Sequence, residues 1–247
     1  ADVALVTGGA RRIGRAIAWR LAGAGYAVAI HCNTSRTEAL ALAEQIIAAG
    51  GRAHVVAADL VDPAAVERIV PEAEAALGPV GLLVNSASSF LVDDLMALDV
   101  PTWNRQFSIN LRAPSVLAGA MASRLPADRQ GAIVNIVDQR VWKLTPQYYS
   151  YTLTKAALLT ATTTMAQALA PRIRVNAVGP GPTFANPHDG ETLLAAEAGG
   201  TPLGRKVEAE DIAEAVLYLA RARAVTGQMI AVDAGQHIAW RTPDIVD

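Results

Sequence analysis

Short apolar runs alternate with helix-length segments from one end of this chain to the other, and that alternation narrows the fold more than any other feature. Val3-Ala4-Leu5-Val6 opens the series. Ala27 to His31, His54 to Ala58, Leu82 to Val84, Ala132 to Val137, Arg174 to Val178 and Gln228 to Val232 continue it. Such continuous Val/Ile/Leu-rich runs suit strands buried on both faces. Between them lie stretches with helical spacing: Arg15 to Gly23, Thr37 to Ala49, Pro63 to Leu77, Trp103 to Leu125, Tyr151 to Leu169 and Ala209 to Ala220. In the first of these, Ile17, Ala18, Leu21 and Ala22 form one apolar stripe. Gly50-Gly51 stops the second, and Pro63 sits near the first turn of the third, where no N–H is needed. Pro114 falls inside the fourth at a cost in backbone bonding.

Strands joined by helices of this length imply right-handed crossovers and a parallel sheet. The expected fold is α/β: a single doubly wound, Rossmann-like domain over 1–247, with a seven-stranded, mainly parallel sheet and helices on both faces. A hydrophobic content of 52% supplies the core such a sheet needs. Residues 179–204 break the alternation. They are rich in Gly, Pro and small residues and fit a substrate loop, or a variable surface loop.

A net charge of −2 gives no electrostatic reason to expect nucleic acid or an anionic membrane as partner. The single cysteine, Cys32, excludes an internal disulfide and fits a reducing, cytoplasmic compartment. No basic, apolar leader precedes Val3, and no apolar stretch is long enough to span a bilayer. Four histidines, His31, His54, His188 and His237, lack ligand spacing, so no metal is expected.

Three motifs carry chemistry. Thr7-Gly8-Gly9-Ala10-Arg11-Arg12-Ile13-Gly14 joins the first strand to the first helix. Glycines there admit a pyrophosphate, and the helix start offers N–H groups and a positive dipole end. A tight turn without ligand has the same sequence character. The second strand ends His31-Cys32-Asn33-Thr34-Ser35-Arg36, with no carboxylate to hold a ribose 2′-hydroxyl. With Arg11 nearby, that favours NADPH over NADH, although a solvated loop also fits. Tyr151-Thr152-Leu153-Thr154-Lys155 puts a phenol and an ammonium on one helix face. The cation is expected to lower the Tyr151 pKa and make it a proton donor near neutral pH.

Together these residues resemble the short-chain dehydrogenase/reductase family, over essentially the whole chain. Asp59 after strand three, Asn85-Ser86-Ala87-Ser88 after strand four, Asn110, and Pro180-Gly181 after strand six belong to the same pattern. The resemblance implies that Gly8, Arg11, Arg12, Ile13, Gly14, His31, Asn33, Thr34 and Ser35 line the cofactor. It adds Asp59, Leu60, Asn85, Ala87, Ser88, Pro180 and Gly181 to that set. Lys155 would hold the nicotinamide ribose, Tyr151 would give the proton, and Asn110 would help hold a relaying water.

Departures from the usual pattern narrow the resemblance to the pteridine reductase branch, which includes dihydromonapterin and dihydrofolate reductases. Arg12 replaces the second glycine of the turn, Ser88-Ser89-Phe90 follows strand four, and Asp138 replaces the usual active-site Ser. An ionised Asp138 repels a developing alkoxide, which disfavours ketone reduction, yet it accepts N–H donors. The branch implies substrate binding by Arg12, Ser88, Phe90, Asp138 and Tyr151, with Phe90 stacked on the pterin opposite the nicotinamide. Catalysis falls to Asp138, Tyr151, Lys155 and Asn110, with hydride going to the carbon of a ring C=N bond. The rivals are a reductase of a ketone or 3-oxoacyl substrate and a non-catalytic dinucleotide-binding protein. The family resemblance also implies a homotetramer. Ala156, Ala157, Ala161 and Ala168 on the helix after Tyr151, or residues 235–247, would meet a partner.

Overall fold

The computed structural model describes residues 2–185 and 190–240. His188, part of the 179–204 loop, and residues 241–247 lie outside the described residues. Seven strands among those described form one sheet: β1 (Val3–Thr7), β2 (Ala27–Cys32), β3 (Arg52–Ala57), β4 (Val80–Asn85), β5 (Gly131–Ile136), β6 (Ile173–Pro180) and β7 (Met229–Val232). Their order is β3-β2-β1-β4-β5-β6-β7. Every neighbouring pair is parallel, β6 and β7 included, so the sheet is wholly rather than mainly parallel. A helix-containing return precedes the last strand and brings it back in the same direction.

The helices are α1 (Arg12–Gly23), α2 (Arg36–Ala48), α3 (Pro63–Leu77), α4 (Val100–Phe107), α5 (Ala113–Arg124), α6 (Tyr149–Leu169), α7 (Gly190–Gly199) and α8 (Ala209–Arg221). The period-2 geometry of a strand divides the core between two faces. Ala4 and Val6 of β1 pack with Ile17, Leu42, Ile46 and Ile212, from α1, α2 and α8. Val3 and Leu5 pack with Val66, Ile69, Leu117 and Met121, from α3 and α5. Both faces of β1 are therefore sealed, which explains its lack of polar alternation.

The expected helix 103–125 is three segments: α4, a π-helical turn over Ser108–Arg112, and α5. Pro114 accounts for the interruption. It has no N–H for the carbonyl of Asn110, and its ring crowds that carbonyl. The wider π turn relieves the clash at this point in the chain. α6 starts at Tyr149, two residues earlier than expected, because Tyr148 sits outside the helix at φ 57. Part of the 179–204 stretch is helical, as α7.

The strand order reverses between β1 and β4. Parallel sheets bind ligands beyond the carboxyl ends of their strands at such a point. The Gly8 turn after β1 and the Ser86–Ser88 segment after β4 flank that crevice.

Candidate active site

A cleft of about 550 Å³ opens at the carboxyl edge of the sheet, lined from the Gly8 turn at one end to α7 at the other. Its floor is set by β1 and β4. Thr7 Oγ1 accepts hydrogen bonds from Ser86 N (3.0 Å) and Ala87 N (3.1 Å), clasping the two strand ends together. Gly8 has φ +63, and a Cβ there would lie 2.9 Å from Ala87 Cα. At Gly14 a Cβ would lie 2.1 Å from Gly8 O, so only glycine lets the turn close on α1. α1 has no side-chain cap and no acidic residue in its first turn. Its free N–H groups and dipole suit a phosphate.

Arg12, in place of the family's glycine, takes φ 51, the left-handed conformation a glycine adopts freely. Its guanidinium donates to Ala185 O (3.1 Å) and lies 5.0 Å from the Phe184 ring centroid. Burial and the neighbouring Arg11 charge hold its pKa below the ordinary arginine value. Arg12 thus joins the glycine turn to the segment after β6.

His31 lines the cleft, yet both ring nitrogens are engaged. Gly8 N donates to Nδ1 (3.2 Å), and Nε2 lies 3.1 Å from Ala58 O. That pattern makes the ring a neutral Nε2–H tautomer. Burial pushes its pKa down to about 4. His31 braces the turn against the end of β3 and brings no positive charge. Arg11 brings a cation to this end, 3.8 Å from Glu38 and largely exposed. Asn33, Thr34, Ser35, Asp59 and Leu60 complete that end of the lining.

At the other end Tyr151 Oη donates to Asp138 Oδ2 (2.7 Å). Asp138 Oδ1 accepts the backbone N–H of Arg140 (2.8 Å). Burial raises the Asp138 pKa, opposed by those hydrogen bonds and by the charges of Arg140 and Lys155. Burial, followed by the Asp138 carboxylate, holds Tyr151 well above the ordinary phenol value. The expectation that Lys155 lowers the Tyr151 pKa is therefore overturned. The Lys155 ammonium lies 5.6 Å from the Tyr151 ring centroid and donates to Ile136 O (2.8 Å), while the carboxylate contacts the hydroxyl directly. Lys155 is itself pushed down to about 8 by burial.

The cleft lining includes Gly8, Arg11, Arg12, Ile13, Gly14, Ala87, Ser88, Phe90, Pro180 and Gly181, together with the Asp138–Tyr151–Lys155 group. Asn85 and Asn110 stand apart. Asn85 Nδ2 donates to Asn135 Oδ1 (2.8 Å), and Asn135 Nδ2 donates to Thr162 Oγ1 (2.9 Å). This chain ties β4 and β5 to α6 beneath the cleft, so the Asn85 side chain does not line it. Asn110 Oδ1 accepts from Ser88 Oγ (3.3 Å) and Ser89 N (2.7 Å). Its amide donates to Ser89 O (2.9 Å) and Thr154 Oγ1 (3.0 Å). That side chain is thus spent on positioning Ser88, Ser89 and Thr154.

The sequence reading missed Arg140, Tyr148 and Glu197, which also line the cleft. Tyr148 stacks on Phe90, with ring centroids 4.3 Å apart and an interplanar angle of 14°. Phe90 also meets the Tyr151 ring edge-on at 4.5 Å. A second aromatic three residues before Tyr151 was the available signal. Trp142 and Lys143 pack away from the chemistry. Trp142 lies 5.1 Å from the His237 ring, and Lys143 donates to Ala239 O (3.1 Å).

Residues 8–237 match the profile of a family described as enoyl-(acyl carrier protein) reductase. A 3-oxoacyl-(acyl-carrier-protein) reductase from Staphylococcus epidermidis is 33% identical over 240 residues, covering 95% of this chain and 98% of the relative. An uncharacterized oxidoreductase of Mycobacterium tuberculosis is 35% identical over 240 residues, covering 94% and 91%. Among solved structures, FolM alternative dihydrofolate reductase 1 from Brucella canis, complexed with NADP, is 50% identical, with a TM-score of 0.93 over 100% of this chain and 98% of that one. By its sequence, its sheet and its cleft, the chain belongs to the short-chain dehydrogenase/reductase family and is an oxidoreductase.

Proposed function

We propose that this protein reduces a pterin-type substrate, a dihydropterin or dihydrofolate, to the tetrahydro form with NADPH. The observation that carries the reading is the Tyr151–Asp138 hydrogen bond beside Phe90. A ketone reductase needs a neutral donor where Asp138 stands. A carboxylate there suits the amino and ring N–H groups of a pterin, and a shared proton suits the ring nitrogen of a C=N bond. Likeness to the Brucella protein named a dihydrofolate reductase supports the same reading.

The residues fit the cofactor. The close approach of Gly8 and Gly14 leaves room only for backbone, and the uncapped start of α1 accepts a pyrophosphate. Arg11, with Asn33, Thr34 and Ser35, meets a 2′-phosphate, and Asp59 and Leu60 border the adenine. Lys155 holds the ribose, and Pro180 and Gly181 border the nicotinamide. NADPH supplies hydride when bound. Phe90 provides a flat wall for the pterin, and Arg12 and Ser88 bond its edge. Tyr151 and Asp138 hold the proton destined for the ring nitrogen, and Asn110 keeps Ser88 and Ser89 in register.

Residues 179–204 act as the substrate loop of a single domain. No helix among the described residues is long and apolar enough to cross a membrane. The protein works in the cytoplasm as a homotetramer, with the half-buried Ala156, Ala157 and Ala161 and the exposed Ala168 of α6 facing a partner.

The test is NADPH oxidation with dihydrobiopterin, dihydromonapterin and dihydrofolate beside ketones and 3-oxoacyl thioesters, for wild type and Asp138→Ser. Pterin turnover lost in the variant is expected. Turnover of ketones alone overturns the reading and leaves a carbonyl reductase.

A further inference from the structure

The Arg140 side chain does more in the cleft wall than bias the Asp138 carboxyl. Arg140 gives its backbone N–H to Asp138, and its guanidinium serves three other groups. It donates to Thr145 Oγ1 (3.3 Å), lies 3.6 Å from Glu197 Oε1 of α7, and sits 5.2 Å from the Tyr148 ring centroid. Tyr148 in turn stacks on Phe90. A planar guanidinium can meet acceptors at its edge while its face covers an aromatic ring, which an ammonium cannot do. The Arg140 side chain is 16% exposed and that of Glu197 is 33% exposed. So sheltered a pair is screened by salt less than a surface pair.

Two further observations give the pair its importance. In α7 the buried residues are Leu194 and Ala198, so apolar burial holds this ten-residue helix only lightly. Tyr148 adopts φ 57, a costly conformation for a bulky side chain, which persists only where its surroundings over-determine it. Stacking on Phe90 and the cation above the ring supply that determination.

We propose that Arg140 is a positioning residue. Together with Glu197 it fastens α7 to the Tyr148–Phe90 wall, so that helix and wall enclose the substrate as one unit. The choice of substrate rests on the pterin reading, but the fastening does not.

The experiment compares wild type with Arg140→Met, Arg140→Lys, Glu197→Gln and the Arg140→Met/Glu197→Gln double variant, all saturated with NADPH. Two readouts are taken: the rate of proteolysis within Gly190–Gly199, and kcat and KM for dihydrobiopterin. Arg140→Met and Glu197→Gln should each speed cleavage about tenfold and raise KM about tenfold, the change given by roughly 1.4 kcal/mol. In Glu197→Gln, kcat and the NADPH Kd should change far less, whereas Arg140→Met also removes a charge beside Asp138 and lowers kcat as well. The double variant should be no worse than the worse single one, since the two side chains act as a unit. Arg140→Lys, which keeps the charge but cannot bond Glu197 and cover the Tyr148 ring together, should recover only part of the cleavage protection and of the KM.

Unchanged cleavage and KM, multiplicative effects in the double variant, or a Lys variant as impaired as Met would each overturn the proposal. If Arg140→Met loses NADPH binding through misfolding, Glu197→Gln and Arg140→Lys decide by the same criteria. A wild type that binds NADPH but turns over no pterin overturns the pterin reading alone, because proteolysis still judges the fastening.

Discussion

Tyr151 Oη and Asp138 Oδ2 are 2.7 Å apart, so the phenol and the carboxylate beside it form a single hydrogen-bonded unit. Burial raises the pKa of both members, and the pair titrates as a unit rather than residue by residue. Arg140, Lys155 and Ser88 are the neighbours that pull against those shifts. The protonated form is the one that can deliver a proton. It is complete at low pH and is lost as pH rises through the raised Asp138 value. kcat/KM for a dihydropterin should therefore decline on the alkaline side. In Asp138→Asn that decline should vanish from its wild-type position, with kcat/KM reduced on the order of 10²-fold. Superimposable pH profiles for the two proteins would show that Asp138 carries no part of the titration.

Arg12 holds a left-handed φ where the family turn has glycine. Such a conformation costs a non-glycine residue about 1–2 kcal/mol, which persists where function retains it. Arg12→Gly should stabilise the fold by about 1 kcal/mol and raise Tm by roughly 2–4 °C. It should also weaken substrate binding, since the guanidinium links the turn to Ala185 and Phe184. Thermal melting and KM measured on the same preparation check both signs. A lower Tm would mean that those contacts outweigh the strain.

The fold was legible because it depends on pattern. Strands as apolar as β1 have nowhere to go but the centre of a two-faced sheet, and the glycine turn marks its ligand edge. The Tyr151 and Lys155 positions were equally legible, since a four-residue spacing on a helix fixes a shared face. Their electrostatics were not. The Asp138 carboxylate is thirteen residues from Tyr151 in sequence, and only the fold brings it closer to the hydroxyl than the ammonium. The hydrogen bonds of Asn85 and His31 were out of reach for a related reason. Each sits at a strand end beside the cleft, and the direction of its hydrogen bonds is a tertiary property. Glu197 was out of reach, because its partner Arg140 lies on another element.

Lys155 illustrates the cost of a buried charge. The residue is 2% exposed and its pKa falls to about 8, below the unfolded value of 10.5. The unfolded chain binds the proton more tightly, so stability rises with pH between about 8 and 10.5. Below pH 8 the full penalty applies, roughly 3 kcal/mol. Lys155→Met should stabilise the fold at pH 7 by on the order of 1–2 kcal/mol, less than the full penalty because Ile136 O loses its donor. Turnover should be lost in the same variant. Urea unfolding beside an activity assay tests the trade-off, and a destabilised variant would show that the ammonium is better solvated than its burial implies.

His31 gives the fold an acid-sensitive joint. The ring is held neutral between Gly8 N and Ala58 O, and its pKa of about 4 lies below the unfolded value of 6.5. Protons therefore bind the unfolded chain more readily in that window. The stabilisation is complete above pH 6.5 and is lost as pH falls toward 4, by about 3 kcal/mol. Glutamine at this position offers a donor and an acceptor without titrating. In His31→Gln the unfolding free energy should fall less steeply between pH 6.5 and 4 than in wild type, even if its value at pH 7 is lower. Urea titrations at half-unit pH intervals measure that slope directly. Equal slopes would place the acid sensitivity in the carboxylates instead and leave His31 as an ordinary hydrogen-bonding spacer.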